Sequence, residues 1–419
     1  MNRVPVDPRS LYDPYDPAFV EDPYPTYARL RREAPVLKSH LGFWVVSRYD
    51  DVMSLLRDER GSREHWRLNE QYISSHAGAS PAWNEFVSSQ VQFLDPPSHT
   101  RQRKLVSKAF TPRAIESRRG VVESLVDDMI DRVSSSGEAE IVADIARPLP
   151  FRVICELLGL PHDDPRMEKD WITSIVRGLS TLVSEDDMRA ASRSLGRVSE
   201  LVSEFIDARR GKPCDDLLTA LIEAEEQGDR LTDLELHSLV INLFVGGSET
   251  TMNLIGSGLY TLLRYPEQLT LLRGDRSLIR NAVEEFLRFE PPAQFQTRTT
   301  LVDVEVQGVT VPANETLFLC LASANRDEER WAHPDEPDIL RADLQHVAFG
   351  YGIHHCLGAS LARLEAGVAI NAMVQRFEGL EPASGDPPRW GGAAAVSQRG
   401  LRQLDVRFTG VRPRPTPAP

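Results

Sequence analysis

The segment Phe349-Gly-Tyr-Gly-Ile-His-His-Cys-Leu-Gly358 constrains this chain more than any other stretch. Gly350, Gly352 and Gly358 permit tight turns and let a flat ligand come close to the backbone. An apolar helical pattern, Ala359 to Phe377, begins directly behind Cys356. A thiolate at a helix N-terminus is stabilised by the dipole and by N–H groups that lack helical partners. A single cysteine held this way makes a good axial ligand for haem iron, because it pushes electron density onto the metal and favours O–O cleavage. The competing reading is a free cysteine beside a structural turn. A bare Cys-x-Gly would support it; the full Phe-Gly-x-Gly-x-His-x-Cys-x-Gly string is too specific for it.

The other three cysteines read as bystanders. Cys155 lies in an apolar helical pattern, Cys320 in the apolar run from Thr316 to Leu321, and Cys214 in a polar loop after Gly211-Lys-Pro. None has a neighbour at zinc-knuckle spacing, and a disulfide framework is unexpected at 419 residues, so a reducing cytoplasm fits. The net charge of −14 argues against a general nucleic-acid or anionic-membrane binder. The longest apolar run, around Ser238–Ser248, is far short of the ~20 residues of a membrane span. The first residues contain no apolar core of a secretory signal.

Length alone suggests two or three domains. The pattern along the chain instead reads as one large, mainly helical domain over residues 26–410 with small sheets at one side. It follows an extended lead-in at 1–25 and precedes a disordered Pro-rich tail at 411–419. Helical patterns fall at about 26–34, 50–58, 101–119, 120–134, 150–159 and 197–210. Thr232 and Glu235 form a capping box that opens a long helix to about Arg264. Another helix spans about 277–289 and stops at Pro291-Pro292. Residues 42–47 and the alternating valines from Val302 to Val311 read as strands.

Three further patterns bear on chemistry. In Val245-Gly-Gly-Ser-Glu-Thr-Thr251 two glycines sit mid-helix, each costing roughly 1 kcal/mol relative to alanine. Close approach of a ligand, with a local opening of the helical hydrogen bonds, would explain them; helix packing at small residues is the plainer alternative. Glu285 and Arg288 share a helix face, as do Glu64–Arg67 and Glu116–Arg119. Only Glu285 lies in an apolar helix upstream of the cysteine loop. Residues 101–119 carry seven bases and one acid in an otherwise acidic chain, and the single aromatic residue among them, Phe110, is not the aromatic interleaving of a nucleic-acid surface.

Taken together, these motifs resemble the cytochrome P-450 family of haem-thiolate monooxygenases in its soluble bacterial form, across about residues 10–410. The resemblance implies a mainly α fold with small β-sheets (α+β), haem b lying between the long distal helix and the cysteine loop. It makes Cys356 the iron ligand and the metal site, Phe349 the ring near its sulfur, and Gly350 and Gly358 parts of the haem-binding loop. It assigns His99, Arg103, Arg298 and His354 to the haem propionates. Thr250 would stabilise iron-bound oxygen and Glu249 would feed protons. Glu285 and Arg288 would support the loop from below. The family's third partner, an arginine, aligns with Glu336 here, and Arg341 is expected to replace it.

The implied reaction inserts one oxygen atom of O2 into a C–H or C=C bond of an apolar, polyketide-like secondary metabolite. Oxidative coupling, dehydration and a non-catalytic haem sensor are the alternatives, and the Glu249-Thr250 pair argues against the sensor. Electrons would come from NAD(P)H through a reductase and a separate ferredoxin or flavodoxin docking on the basic stretch, with Lys104 and Arg113 contributing. The protein is expected to be a monomer that binds neither nucleic acid nor membrane. Phe93, Leu94, Leu243, Gly246, Ala293, Phe295 and Val396 are candidate pocket residues, with Trp66, Trp83 and His76 as polar or stacking additions from residues 60–95; residues 165–195 are a further candidate region.

Overall fold

The computed structural model describes residues 11–414 except 109, 165–169, 181–182, 227, 387 and 392–396. Five short strands make the principal sheet: β1 (Val36–Lys38), β2 (Trp44–Val46), β3 (Gly61–Ser62), β4 (Phe295–Thr300) and β5 (Thr316–Cys320), in the order β1-β2-β5-β4-β3. β2 and β5 run parallel; the other pairs are antiparallel, with Phe318 opposite Thr297 and Ser62 opposite Thr299. Successive side chains of a strand point to opposite faces. Leu317 and Leu319 therefore enter one apolar cluster, while Phe318, Cys320 and Phe295 enter another.

Five helices position the site: α1 (Ser98–Ser107), α2 (Pro148–Leu158), α3 (Asp233–Arg264), α4 (Ile279–Phe289) and α5 (Ala359–Arg376). α3 opens with the expected capping box and, at 32 residues, spans about 48 Å. Its Val240, Phe244, Leu259 and Leu262 join Ile154 of α2, Phe286 of α4 and Ile370 of α5 in the largest core cluster. Gly258 allows the close approach: a Cβ there would lie 2.7 Å from Ile370 Cδ1 and 2.9 Å from Phe286 Cδ2. No helix among the described residues is long and apolar enough to cross a membrane.

Four boundaries differ from the sequence expectations. The basic stretch 101–119 is not one helix, because Pro112 supplies no N–H and Thr111 caps a separate helix, Pro112–Glu116. The pattern at 197–210 belongs to a longer helix, Glu185–Gly211, started by the Ser184 cap. Within the lead-in, Pro17–Glu21 is helical and capped by Asp16, and Tyr12 and Phe19 are buried with Tyr27 and Phe43. Aromatic burial overrides its loop-like composition. In the tail, Val411 pairs with Phe377 and Arg414 bonds Asp128 and Asp131; residues 415–419 lie outside the described residues.

Candidate functional site

The cysteine loop is folded by its own backbone. Gly350 N–H donates to the Val347 carbonyl at 2.8 Å and Cys356 N–H to the Phe349 carbonyl at 3.0 Å. Gly350 and Gly352 have φ of 68° and 73°, which disfavour side chains. A Cβ on Gly350 would also meet Gln296 Nε2 at 2.3 Å. Gly358 caps α5 with no side chain, and a Cβ there would meet nothing within 4 Å, so its neighbourhood is open. Cys356 is exposed, but it is the cavity beneath α3 that it faces. Dense surrounding protein pushes its thiol pKa up, opposed by a Gly358 backbone bond and the guanidinium groups of Arg103 and Arg363.

Basic side chains gather along one edge of this cavity. His99 and Arg103 come from α1 and His354 from the loop; Arg63, which follows β3, joins them. Arg298 of β4 does not line the cavity: its Nη1 and Nη2 donate to the Thr297 and Leu56 carbonyls at 2.9 and 3.3 Å, although its charge is felt at His354. Burial lowers the pKa of His99 to about 4, with Arg103 adding repulsion. Burial, then Arg63, lowers Arg298 to about 9. Burial and the charges of Arg63, Arg298, His99 and Arg103 push His354 far below the usual imidazole range. His99 Nδ1 has no hydrogen-bond partner among the described residues. Such a cluster favours an anion beside it, and among the described residues Asp95 is the carboxylate that relieves His99 and Arg298.

α3 forms the opposite wall. It runs as an unbroken α-helix through Gly246 and Gly247, so the expected opening of its hydrogen bonds is not present. The glycines provide space instead: a Cβ on Gly246 meets nothing within 4 Å, and one on Gly247 would crowd Ile154 Cδ1 at 2.9 Å. Thr250 lines the cavity and its hydroxyl donates to the Gly246 carbonyl at 2.7 Å. Glu249 is buried beside it and does not line the cavity.

Beneath the loop, Glu285 and Arg288 are fully buried in a two-pronged ion pair, at 2.7 and 2.8 Å. Arg341 Nε lies 3.2 Å from Glu285 Oε2, in the place where a third partner was expected. Glu336 contributes only its backbone carbonyl, which accepts from both arginines at 3.2 Å. Arg288 also donates to the Asn325 carbonyl, and Asn325 Oδ1 receives Val347 N–H at 2.8 Å. The pair is thus wired to the base of the cysteine loop. A second brace joins Glu284, Arg363 and His346, with the Arg363 guanidinium 4.5 Å from the Phe349 ring.

A cytochrome P-450 family model matches residues 69–399. Cytochrome P-450 107B1 of Saccharopolyspora erythraea is 41% identical over 403 residues, covering 94% of this chain and 96% of its own. The monooxygenase PikC of Streptomyces venezuelae is 41% identical over 399 residues, covering 93% of this chain and 92% of its own. The solved structure of the Bacillus subtilis bacillaene polyketide synthase enzyme PksS superposes with a TM-score of 0.85 at 35% identity, over 95% of this chain and 99% of that one.

The chain belongs to the cytochrome P-450 family.

It is therefore a P-450 monooxygenase with the P-450 fold, and the family uses haem and O2. The residues present fit that cofactor: a thiol at the cavity floor, open space at Gly246 and Gly358, and an edge carrying the guanidinium groups of Arg63 and Arg103 with the imidazoles of His99 and His354.

The pocket expectations divide. Leu243, Gly246 and Ala293 line the cavity. Phe93 and Leu94 are buried away from it: the Phe93 ring meets His65 at 5.0 Å. Phe295 faces the Tyr12–Phe318 cluster, since strand alternation sends Gln296 and Arg298 the other way. His76 is bonded to the Gly178 carbonyl and stacked on Tyr72, Trp83 is core, and Trp66 bonds the Phe93 carbonyl. Val396 lies outside the described residues, as do parts of 165–195; none of the described residues of that region lines the cavity.

Sequence reasoning missed Arg63, the α2 wall of Ile154, Leu157 and Leu158, and Glu365. Glu365 of α5 is buried, its Oε2 has no hydrogen bond among the described residues, and burial raises its pKa well above the carboxylate range. Its i+4 spacing from Leu361 on an apolar helix was the available signal. Arg63 had none. The basic face also shrinks. Arg101 pairs with Asp229 and Glu235, Arg119 with Glu116, and Arg103 turns inward to the His355 carbonyl. Lys104, Lys108 and Arg113 remain exposed.

Proposed function

We propose that this P-450 holds haem b by Cys356 and inserts one oxygen atom into an apolar, polyketide-like secondary metabolite, with electrons from a separate ferredoxin or flavodoxin. The observation that carries the reading is the Cys356 thiol at the floor of a cavity whose edge is cationic and whose roof is Thr250 and two glycines. When bound, the haem activates O2, placing one atom in the substrate while the other leaves as water with two electrons and two protons. His99, Arg103 and His354 of the cavity lining, together with Arg298 from β4, serve as donors to its carboxylates. Phe349 lines the cavity with Cys356, and the open space at Gly358 leaves room for the ring.

Thr250 holds and passes a proton at its hydroxyl, which the Gly246 carbonyl orients. Glu249, buried one residue away, supplies that proton. Glu285, Arg288 and Arg341 fix the loop's height through Asn325 and Val347. Ile154, Leu157, Leu158, Leu217 and Leu243 present an apolar wall to the substrate and exclude water. The name of PksS ties that relative to polyketide biosynthesis, which supports the substrate class. Lys104 and Arg113 suit an acidic electron donor. Four free cysteines suit a reducing cytoplasm.

The test is a panel of macrolides, aromatic polyketides and fatty acids, titrated against the ferric protein for a spectral shift. Binders are then turned over under labelled O2 with a ferredoxin system. Incorporation of one labelled oxygen into a polyketide is expected; turnover of fatty acids alone would reject the substrate class.

A further inference from the structure

The cation at the cavity edge that no motif announces is Arg63. It is anchored from two sides. Nε donates to the Gln92 carbonyl at 3.0 Å, and Nη1 donates to the Thr297 carbonyl at 2.8 Å and to Thr297 Oγ1 at 3.0 Å. Nη2 makes no hydrogen bond among the described residues, and the residue lines the cavity. Arg298 Nη1 donates to the same Thr297 carbonyl at 2.9 Å, so two guanidinium groups share one oxygen. Burial lowers the Arg63 pKa to about 10, with only Asp95 opposing. Yet the Asp95 carboxylate is engaged elsewhere, accepting the Arg63 backbone N–H at 2.9 Å and the Ser62 hydroxyl. Two guanidinium groups on one carbonyl oxygen make a further anion favourable there.

Residues 62–64 and Asp95 also close the base of the segment between them. Besides those two bonds, Glu64 N–H donates to Ser62 Oγ at 2.9 Å, and Asp95 C=O accepts His99 N–H at 2.9 Å at the start of α1. The enclosed segment supplies Val91 and Gln92 to the cavity wall. Arg63 is the residue of that clasp whose side chain reaches the cavity.

We infer that Arg63 is a positioning residue that binds a cofactor carboxylate through Nη2 and thereby couples cofactor loading to ordering of residues 64–94. This rests on the haem reading above. Guanidinium suits the task because its planar fork can hold Gln92, Thr297 and a carboxylate at once, which an ammonium cannot.

The experiment compares wild type, Arg63→Met and Arg63→Lys as haem-loaded proteins. Haem loss to excess apomyoglobin and amide hydrogen exchange in residues 64–94 are both measured. Loss of a charge-assisted bond corresponds to about 10–100-fold faster haem release in Arg63→Met. Arg63→Lys is expected between the two, and it carries the test if the methionine variant does not fold. Exchange in 64–94 is expected to rise in the loaded Arg63→Met protein toward that of apo wild type, while α5 stays protected. Haem release within twofold of wild type in Arg63→Met, or in Arg63→Lys where it stands in, overturns the inference. So does faster release with unchanged exchange in 64–94. A wild type that takes up no haem would instead remove the underlying reading, and the first titration reveals it.

Discussion

Replacing Arg341 with methionine separates the third member of the buried network from the other two. The side chain is only 12% exposed, and its Nε lies 3.2 and 3.3 Å from the two Glu285 oxygens. Its Nη atoms donate to the carbonyls of Ala332, His333 and Glu336 at 2.8, 3.3 and 3.2 Å. Methionine keeps most of the apolar stem and removes all of these bonds. Glu285 is not left alone, however: Arg288 grips it at 2.7 and 2.8 Å and Asp338 N–H donates at 2.8 Å. A charge-assisted bond contributes about 1.5–3 kcal/mol, and long bonds belong at the low end, so a loss of about 2 kcal/mol is expected. Arg288→Met removes the shorter, two-pronged partner of a fully buried carboxylate, leaving it the longer Arg341 contact and the Asp338 N–H, and should lose about 3–5 kcal/mol. Urea unfolding of each variant measures the difference. A cycle with Glu285→Gln should return a Glu285–Arg341 coupling of about 1 kcal/mol or more. Arg341→Met within about 0.5 kcal/mol of wild type, or no coupling in the cycle, would refute the three-membered network.

Three further outcomes follow from the same geometry. Burial pushes Glu284 up, but hydrogen bonds from His346 and Arg363 outweigh it and hold the carboxyl at about 2 against an ordinary 4.5. Its stabilisation is therefore complete above pH 4.5 and fades as the pH falls toward 2. The full effect is about 3 kcal/mol and should be missing from the acid-unfolding curve of Glu284→Gln. Gly350→Ala forces a side chain into φ 68° and against Gln296, and should lose about 1–2 kcal/mol in urea unfolding. Adding Gln296→Ala should recover the clash but not the backbone strain. Charge reversal at Lys104 and Arg113 should slow reduction by an acidic ferredoxin at low salt and converge with wild type at high salt in stopped-flow traces; identical low-salt rates would exclude this face.

Much of the site is legible in the sequence because its chemistry is local. Cys356, its glycines and the helix behind them lie in one segment, and spacing alone orders them. Glu285 and Arg288 are i, i+3 partners, and Thr232–Glu235 announces the long helix. What escaped depends on contacts between distant segments. Arg63 acquires meaning only when β3 pairs with β4 and brings it to Thr297. Phe295 reads as a pocket residue until the register of β4 on β5 turns it toward Phe318 and Cys320. The basic stretch looked continuous because composition does not reveal that Arg101 and Arg119 have acidic partners and that Arg103 points inward. Tyr12 and Phe19 were hidden in a loop-like composition, and only packing against Phe43 and Tyr27 gives them a role.

The central claim is that Cys356 presents a thiolate to haem iron from below the cavity. The absorption spectrum of the reduced, CO-bound protein tests it most directly. A strongly red-shifted Soret band is expected for the wild type, and Cys356→Ser should lose that band while Thr250→Ala retains it. An unshifted band in the wild type, or a red-shifted band that survives Cys356→Ser, would contradict the account.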